Sequence, residues 1–502
     1  MGILESITQK EKALIDREGN RREIIVEPLT NYIATRVQKD MNNSNTLLGG
    51  MLTATNRDLV EDYSKDEMHR ASYSGGLDFT QYWKNKTYYL RLKTAFSRII
   101  GNQEVLYKTQ TSSPHFFQRP DAKHLQVDSL RTHLDGFGAT VQIGKAGNSK
   151  WMYTFWITMR SPGFNLNEIG YMNRNDEIQQ IAWIGFRQRE PFSIFRSLNL
   201  DMNQWYATTF GFEKRYFGGN IYGFTEFVNY WGFGFGCDRD SKSISTETLR
   251  GGPALKYDGA AYIYLHLHTD WRKKVQFSYN SNHFFRDRST GNSHDYNFGV
   301  RVQVSDALST SIYPAYSKRY DRLEYVQTLD ELDETKYIRG TINQVTTYLT
   351  LRFSYNITPE FTIEFYGMPF ISAGKYADFK YITDAGADRY EDRFIQYTEE
   401  QIKYSPNDEI YEVDEDLNGI TDYSFDQPNF NVFDFNANLV VRWEYRPGST
   451  LFIVWSQKRN KYLSGGNFKL GDDIKTLFAD TYPHDIFMVK LSYRLDMNRS
   501  KK

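Results

Sequence analysis

Apolar and polar residues alternate one by one along much of this chain. Phe433, Phe435, Ala437, Leu439, Val441, Trp443 and Tyr445 are apolar, and every residue between them except Val440 is polar. A helix would scatter the two sets around its circumference, whereas a strand places each on its own face. The period recurs at 296–305, 349–355, 151–160, 90–97 and 489–495. The chain is therefore predicted to be all-β.

A soluble sandwich also alternates, with its apolar face inward. In a membrane barrel that face points to lipid and the polar face lines the lumen. The runs here are on the order of 10–13 residues, the length of a tilted bilayer span rather than of the usual soluble strand. Aromatics gather at strand ends, as at Tyr82 and Trp83, Tyr88 and Tyr89, Tyr230 and Trp231, Trp443 and Tyr445, where a membrane interface favours amphipathic rings. Connections alternate in length. Turn-forming residues mark 42–45, 84–86, 147–149, 228–230, 269–272, 305–307, 356–360 and 446–449. Longer polar segments fall at 56–70, 101–134, 161–176, 238–257, 286–293, 322–339 and 375–431. Short turns on one side and long loops on the other are the habit of outer-membrane barrels. The expectation is a transmembrane antiparallel up-and-down β-barrel of about 20 strands, one domain over 1–502, with a long acidic extracellular loop over 375–431. The last strand, 486–495, is what a barrel assembly machinery would receive.

Composition removes other classes. Aromatics are 16% of the chain, too many for disorder, while the mean hydropathy of −0.62 and apolar runs such as 181–186 fall short of a membrane helix. A net charge of −1 argues against a nucleic-acid partner. The single cysteine, Cys237, rules out a disulfide within the chain and a cysteine zinc cluster. The first residues carry no basic-then-apolar export signal, so an exported protein would have its signal upstream of Met1.

The polar face carries Arg36, Arg91, Lys93, Arg160, Arg301, Arg352, Glu364, Asp434, Arg442 and Glu444, all read as lumen-lining. Inward arginines either select anionic solutes or pair with acids on neighbouring strands, for instance Arg442 or Arg352 with Glu444, Glu364 or Asp434. His266 and His268 share a strand face with Tyr262 and Tyr264; the spacing suits a metal, but without a carboxylate nearby they are read as lumen-lining too. The segment 414–422 places Asp414, Asp416 and Asn418 at positions 1, 3 and 5, Gly419 at 6, the Ile420 carbonyl at 7 and Asp422 at 9. That is the opening of an EF-hand-like calcium loop, because calcium takes six or more hard oxygens and the glycine permits the bend. Position 12 is Phe425 rather than a carboxylate, so the segment reads either as a calcium loop with a different last ligand or as a solvated acidic loop. No other cofactor is suggested. No G-x-S-x-G, H-E-x-x-H, phosphate loop or dinucleotide fingerprint occurs, and the chain is read as non-enzymatic. The alternatives are a transporter for an anionic or hydrophobic solute and a barrel-embedded hydrolase.

Several stretches, GGMLTATNRDL at 49–59, YSGGLDF at 73–79, FQRPDAKHLQVDSLRTHLDGFG at 117–138, RSLNLDMNQW at 196–205 and LVVRWEYRPGSTLFIVW at 439–455, resemble domain-of-unknown-function family 5916. The resemblance implies an outer-membrane barrel that follows a signal peptide and a module similar to family 9 carbohydrate-binding domains. It implies that the signal, that module and the first barrel strands lie upstream of this sequence. A glycan partner would act through the upstream module, and no catalytic motif carries over to residues here.

Overall fold

The alternating runs are strands in the computed structural model, which describes residues 1–495 other than 18, 60–61, 148 and 331–333. The principal sheet has 21 strands. One is the short Phe394–Gln396, which pairs with the far end of its neighbour. The other 20 form a wall in chain order. They are β1 (Gly2–Thr8), β2 (Thr30–Met41), β3 (Thr46–Arg57), β4 (Ala71–Trp83), β5 (Tyr88–Ile100), β6 (His133–Lys145), β7 (Trp151–Arg160), β8 (Glu177–Gln188), β9 (Phe195–Thr208) and β10 (Lys214–Phe227). The second half is β11 (Gly232–Asp240), β12 (Ala260–His268), β13 (Val275–Arg286), β14 (Gly291–Gln303), β15 (Leu308–Leu329), β16 (Lys336–Thr358), β17 (Phe361–Ile382), β18 (Phe430–Arg446), β19 (Ser449–Leu463) and β20 (His484–Ser492). Each is antiparallel to the next. Among the described residues no helix is long and apolar enough to cross a membrane.

The expected ring is not closed. Among the described residues no ladder joins β1 to β20, and β1 has β2 as its one partner. The wall thus has two free edges, and β1 is exposed along its whole length. A ring needs the first and last strands to exchange backbone hydrogen bonds, and these two do not.

Nine tight connections lie at one end of the wall. Several turn through left-handed backbone, as Asn42, Asn43 and Ser44 do at φ 53, 54 and 60°, a region that Asn tolerates well. Rings crowd this end. Trp83 stacks on Tyr88 at 6.0 Å, Phe195 meets Phe192 and Phe227 at 5.3 and 5.4 Å, and Arg272 lies 3.2 Å over Tyr230.

The opposite end differs from the sequence reading in four places. The segment 286–293 is a single 3₁₀ turn, Asp287–Ser289, between paired strands. Much of 322–339 and the start of 375–431 are strand, because β15, β16 and β17 run for 22, 23 and 22 residues, about 70 Å at 3.3 Å per residue. Bulges between Asp321 and Glu324 and between Arg339 and Thr341 re-aim these extensions, which blurs their period. The long connection 464–483, which holds the helix Leu470–Phe478, has no alternating signature. The middle of the chain resolves into β8, β9 and β10, joined by a six-residue and then a five-residue connection.

The apolar clusters sit where connections fold back. Ile99 and Leu134 at strand ends receive Val105, Leu106 and Phe117 from the segment 101–132. Ile338 and Phe379 receive Val413, Tyr423 and Phe425 from the loop 383–429, whose Ile402–Ser405, Ile410–Val413 and Tyr423–Asp426 form a small sheet of their own. Leu477 of the last helix rests on Ile371 and Phe433.

Candidate functional site: the inner face and its cap

Directly opposed residues of an antiparallel pair share a face, so the registers carry one face across the wall. Asp78 opposes Lys93, Arg160 opposes Glu177, Gln276 opposes Arg301, and Arg301 opposes Ser311, which opposes Arg352. Arg352 opposes Tyr366, and Glu364, Asp434 and Arg442 follow on the same side. With Arg36, Arg91, His266, His268 and Glu444, all twelve residues expected to line a lumen share this one face of the wall, termed inner below because the long loops fold over it. Phe164 lies on the same face, where a side chain at Gly136 would come within 2.0 Å of its backbone nitrogen.

Most inner charges are partnered. Arg36 grips Asp78, with one bond of 2.9 Å. Arg160 donates to Glu177 at 2.6 Å and Arg187 to Asp201 at 2.6 Å. Arg442 pairs with Glu444 at 2.7 Å, two residues along its own strand rather than on a neighbour, because that spacing keeps a face while staying within reach of both side chains. Arg91 and Arg352 stack instead on Tyr89 and Tyr366, at 4.5 and 4.8 Å. Pairing thus accounts for Arg36, Arg160 and Arg442, which do not form a free basic ring.

Residues 64–70 and the connections 101–132, 161–176 and 241–259 cap this face at the long-loop end. Arg215 is nearly buried between Glu177 at 3.3 Å and Glu247 at 2.8 Å, and Arg174 closes on Glu247 at 2.8 Å. Burial would raise the Glu247 carboxyl, but Arg215 and Arg174 hold it below its ordinary range. Glu168 accepts from Arg57 at 2.6 Å and from His69 Nδ1 at 2.7 Å. Burial opposes its ionisation, yet those two donors hold its pKa at about 2. His69 Nε2 lies 2.7 Å from Thr109 Oγ1, in the order of a nucleophile, base and carboxylate. Thr109 is buried, however, and its hydroxyl also donates to Val105 O one turn back at 2.8 Å, so the arrangement ties helix to loop. Burial pushes His115 down to about 4, which leaves it neutral beneath this cap at pH 7.

A strip of rings extends the row Tyr262, Tyr264, His266 and His268 onto neighbouring strands, an extension the sequence reading missed. On the inner face Trp183 Nε1 donates to Asp201 at 2.8 Å, Trp205 Nε1 to Asp240 at 2.9 Å, and the Tyr264 hydroxyl to Asp238 at 2.8 Å. Tyr264, His266 and His268 oppose Gly236, Gly234 and Gly232. A Cβ at Gly236 would lie 2.1 Å from the Tyr264 ring, and one at Gly232 2.0 Å from His268 Nε2. The run WGFGFGC is therefore a strand whose inward positions are glycines, so that the rings of β12 can lie down on it. That alternation of Gly with Phe was the available signal. His268 stacks on Trp271 at 4.5 Å and His266 bonds Asn280; among the described residues no carboxylate joins the pair in a metal cluster.

Among the described residues, one group of three acidic or His/Cys side chains could hold a metal. It is Asp414, Asp416 and Asp422, whose oxygens lie within 4.8 Å of one another. The Asn418 and Gly419 amides donate to Asp414 at 3.1 and 2.8 Å, and Ile420 N donates to Asn418 Oδ1 at 2.8 Å. The loop thus folds its hard oxygens around one point, with Gly419 at φ 87°. Phe425, at the twelfth position, is buried in the small sheet and cannot turn toward that point.

The whole chain, residues 1–502, matches the family described as Domain of unknown function, DUF5916. It belongs to that family. No curated protein matches it. Among solved structures it is similar to a ferric enterobactin receptor variant from Pseudomonas aeruginosa bound to enterobactin, at 8% identity over 91% of this chain and 76% of that one, TM-score 0.40. It is similar to the siderophore receptor PirA from Acinetobacter baumannii, at 9% identity over 90% and 76%, TM-score 0.36. A bacterial polysaccharide outer membrane secretin aligns at 9% identity over 66% and 87%, TM-score 0.30.

Proposed function

We propose that this DUF5916 chain is a bacterial outer-membrane β-barrel with a non-enzymatic role, the passage or anchored display of material connected with glycans. The observation that carries the membrane reading is the outer face. Phe277, Phe298, Ile312 and Ile453, all outward, are 52, 53, 45 and 46% exposed, and outward residues of neighbouring strands are apolar in turn. A contiguous apolar surface of this extent marks a membrane or partner contact. Two further points support the reading. An antiparallel sheet of 20 strands twists and curls rather than staying flat, and its edge strands run in opposite directions, as a closing pair must. The rings at the short-turn end sit where a bilayer interface holds them. Passage is favoured over anion selection because several inner arginines are already neutralised. The barrel assembly machinery would engage β20, and a calcium ion would be held by the oxygens of 414–422.

Reconstitution tests the reading. Trp151 and Trp443 face outward, so their fluorescence should be quenched by lipids brominated on the acyl chains, and an epitope inserted after Asn407 should be labelled on intact cells. A chain that stays in solution without detergent and escapes quenching would refute it.

A further inference from the structure

We propose that the inner face carries a binding track for a linear, uncharged oligosaccharide along β12; the proposal rests on the barrel reading above. Four consecutive inward residues of this strand, Tyr262, Tyr264, His266 and His268, are rings. Inward positions recur about every 6.7 Å, so the row extends for about 20 Å from the loop end to the turn end. Neighbouring strands continue it, with Phe284 at 4.8 Å from Tyr262, Tyr222 at 5.7 Å from Tyr264, and Phe224 at 6.1 Å from His268.

Three features say what such a row would hold. The glycine opposite Tyr264 leaves no side chain beneath it, so this ring settles against the wall and turns its other face to the interior, while His268, buried against Gly232 and under Trp271, closes the row at the turn end. An aromatic face presented this way receives the C–H surface of a sugar ring. Amides border the row: Asn203 donates to Asn220 at 2.8 Å on one side, and Asn280 and Asn282 oppose His266 and Tyr264 on the other. An amide both donates and accepts, which is what hydroxyl groups require. Charge selects among ligands. Between Arg286 at one end and Arg301 at the other, no lysine or arginine lies on the inner face of β10–β14, which removes the partner an anion would need. Asp238 and Asp240 already accept from Tyr264 and Trp205, so they orient rings and keep lone pairs for hydroxyl donors.

The experiment is a binding titration of the full chain in detergent, by calorimetry and by tryptophan fluorescence, with maltohexaose, cellohexaose and laminarihexaose, and with spermidine as a separate arm. Folding of every preparation is checked by heat-modifiable migration on gels. We expect saturable binding of at least one hexasaccharide. Tyr264→Ala should weaken it by at least about tenfold, and Tyr264→Phe, which keeps the ring, by less than about threefold. A folded wild-type chain that binds none of the three, or that binds one equally well after Tyr264→Ala, overturns the track and leaves the barrel standing. Spermidine binding lost in Tyr264→Ala, without sugar binding, overturns it in favour of an organic cation. A chain that shows no folded, detergent-dependent form refutes the barrel reading instead.

Discussion

Replacing Glu168 by Gln should loosen one corner of the cap without disturbing the wall. Glu168 is 14% exposed and Arg57 12%, so the pair is largely withdrawn from water. Its carboxyl is held at about 2 against an ordinary 4.5. At 1.36 kcal/mol per tenfold change that difference is worth roughly 3 kcal/mol. The sign follows from the direction. A depressed carboxyl stabilises the folded form fully above pH 4.5, and the contribution is lost as pH falls toward 2. Glutamine keeps the shape and one acceptor but leaves the Arg57 guanidinium without its counter-charge. The loop 161–176 should then open with roughly 2–3 kcal/mol less resistance, a rise in amide exchange of about 30- to 150-fold. The amides to follow are Asn165, bonded to Ser97 Oγ at 2.9 Å, and Met172, bonded to Asn167 Oδ1 at 2.6 Å. Hydrogen exchange at pH 7 followed by mass spectrometry reads both. Asp135→Asn, which breaks the exposed Arg98 pair, should leave them unchanged. Wild-type protein should also become cleavable by pepsin in this loop as pH drops from 4.5 to 2. Equal exchange in Glu168→Gln and wild type would refute the anchoring role.

Other outcomes follow from the same geometry. Calcium should protect 402–426 from protease; Asp414→Ala with Asp416→Ala should abolish the protection, and chelator that leaves wild-type cleavage unchanged would reject the cation. In a Cys237→Ser background, a cysteine at Leu4 should crosslink with one at Ile486, Met488 or Lys490 once Cα atoms approach about 5.5 Å; no crosslink in membranes would mean the two edges do not meet. Gly236→Ala should lift the Tyr264 ring off the wall and lower resistance to thermal unfolding by about 1–3 kcal/mol, read as a lower midpoint in heat-modifiable gels; an unchanged midpoint would mean the ring has room to spare.

The strand period, the two faces of each strand, eight of the nine tight turns and the approximate number of wall strands could be read from residues, because side chains two apart on a strand have nowhere to go but the same face. The four rings on one face of β12 were legible too, but what they lie against was not, since opposing Gly236 to Tyr264 depends on a register between strands separated by the connection 241–259. The extensions of β15–β17 were hidden by bulges that break the period without ending the strand. Helix Leu470–Phe478 and the small sheet at 402–426 draw their stability from packing on distant strands, which leaves little local trace.

By itself the sequence determined that this chain makes long two-faced strands joined by tight turns at one end, because alternation and turn chemistry act over a few residues. Only the tertiary structure decided which charges neutralise one another, which loops descend as a cap, and that β1 and β20 remain unjoined. Those outcomes depend on contacts between residues tens to hundreds of positions apart, and no local pattern records which distant partner a side chain will meet.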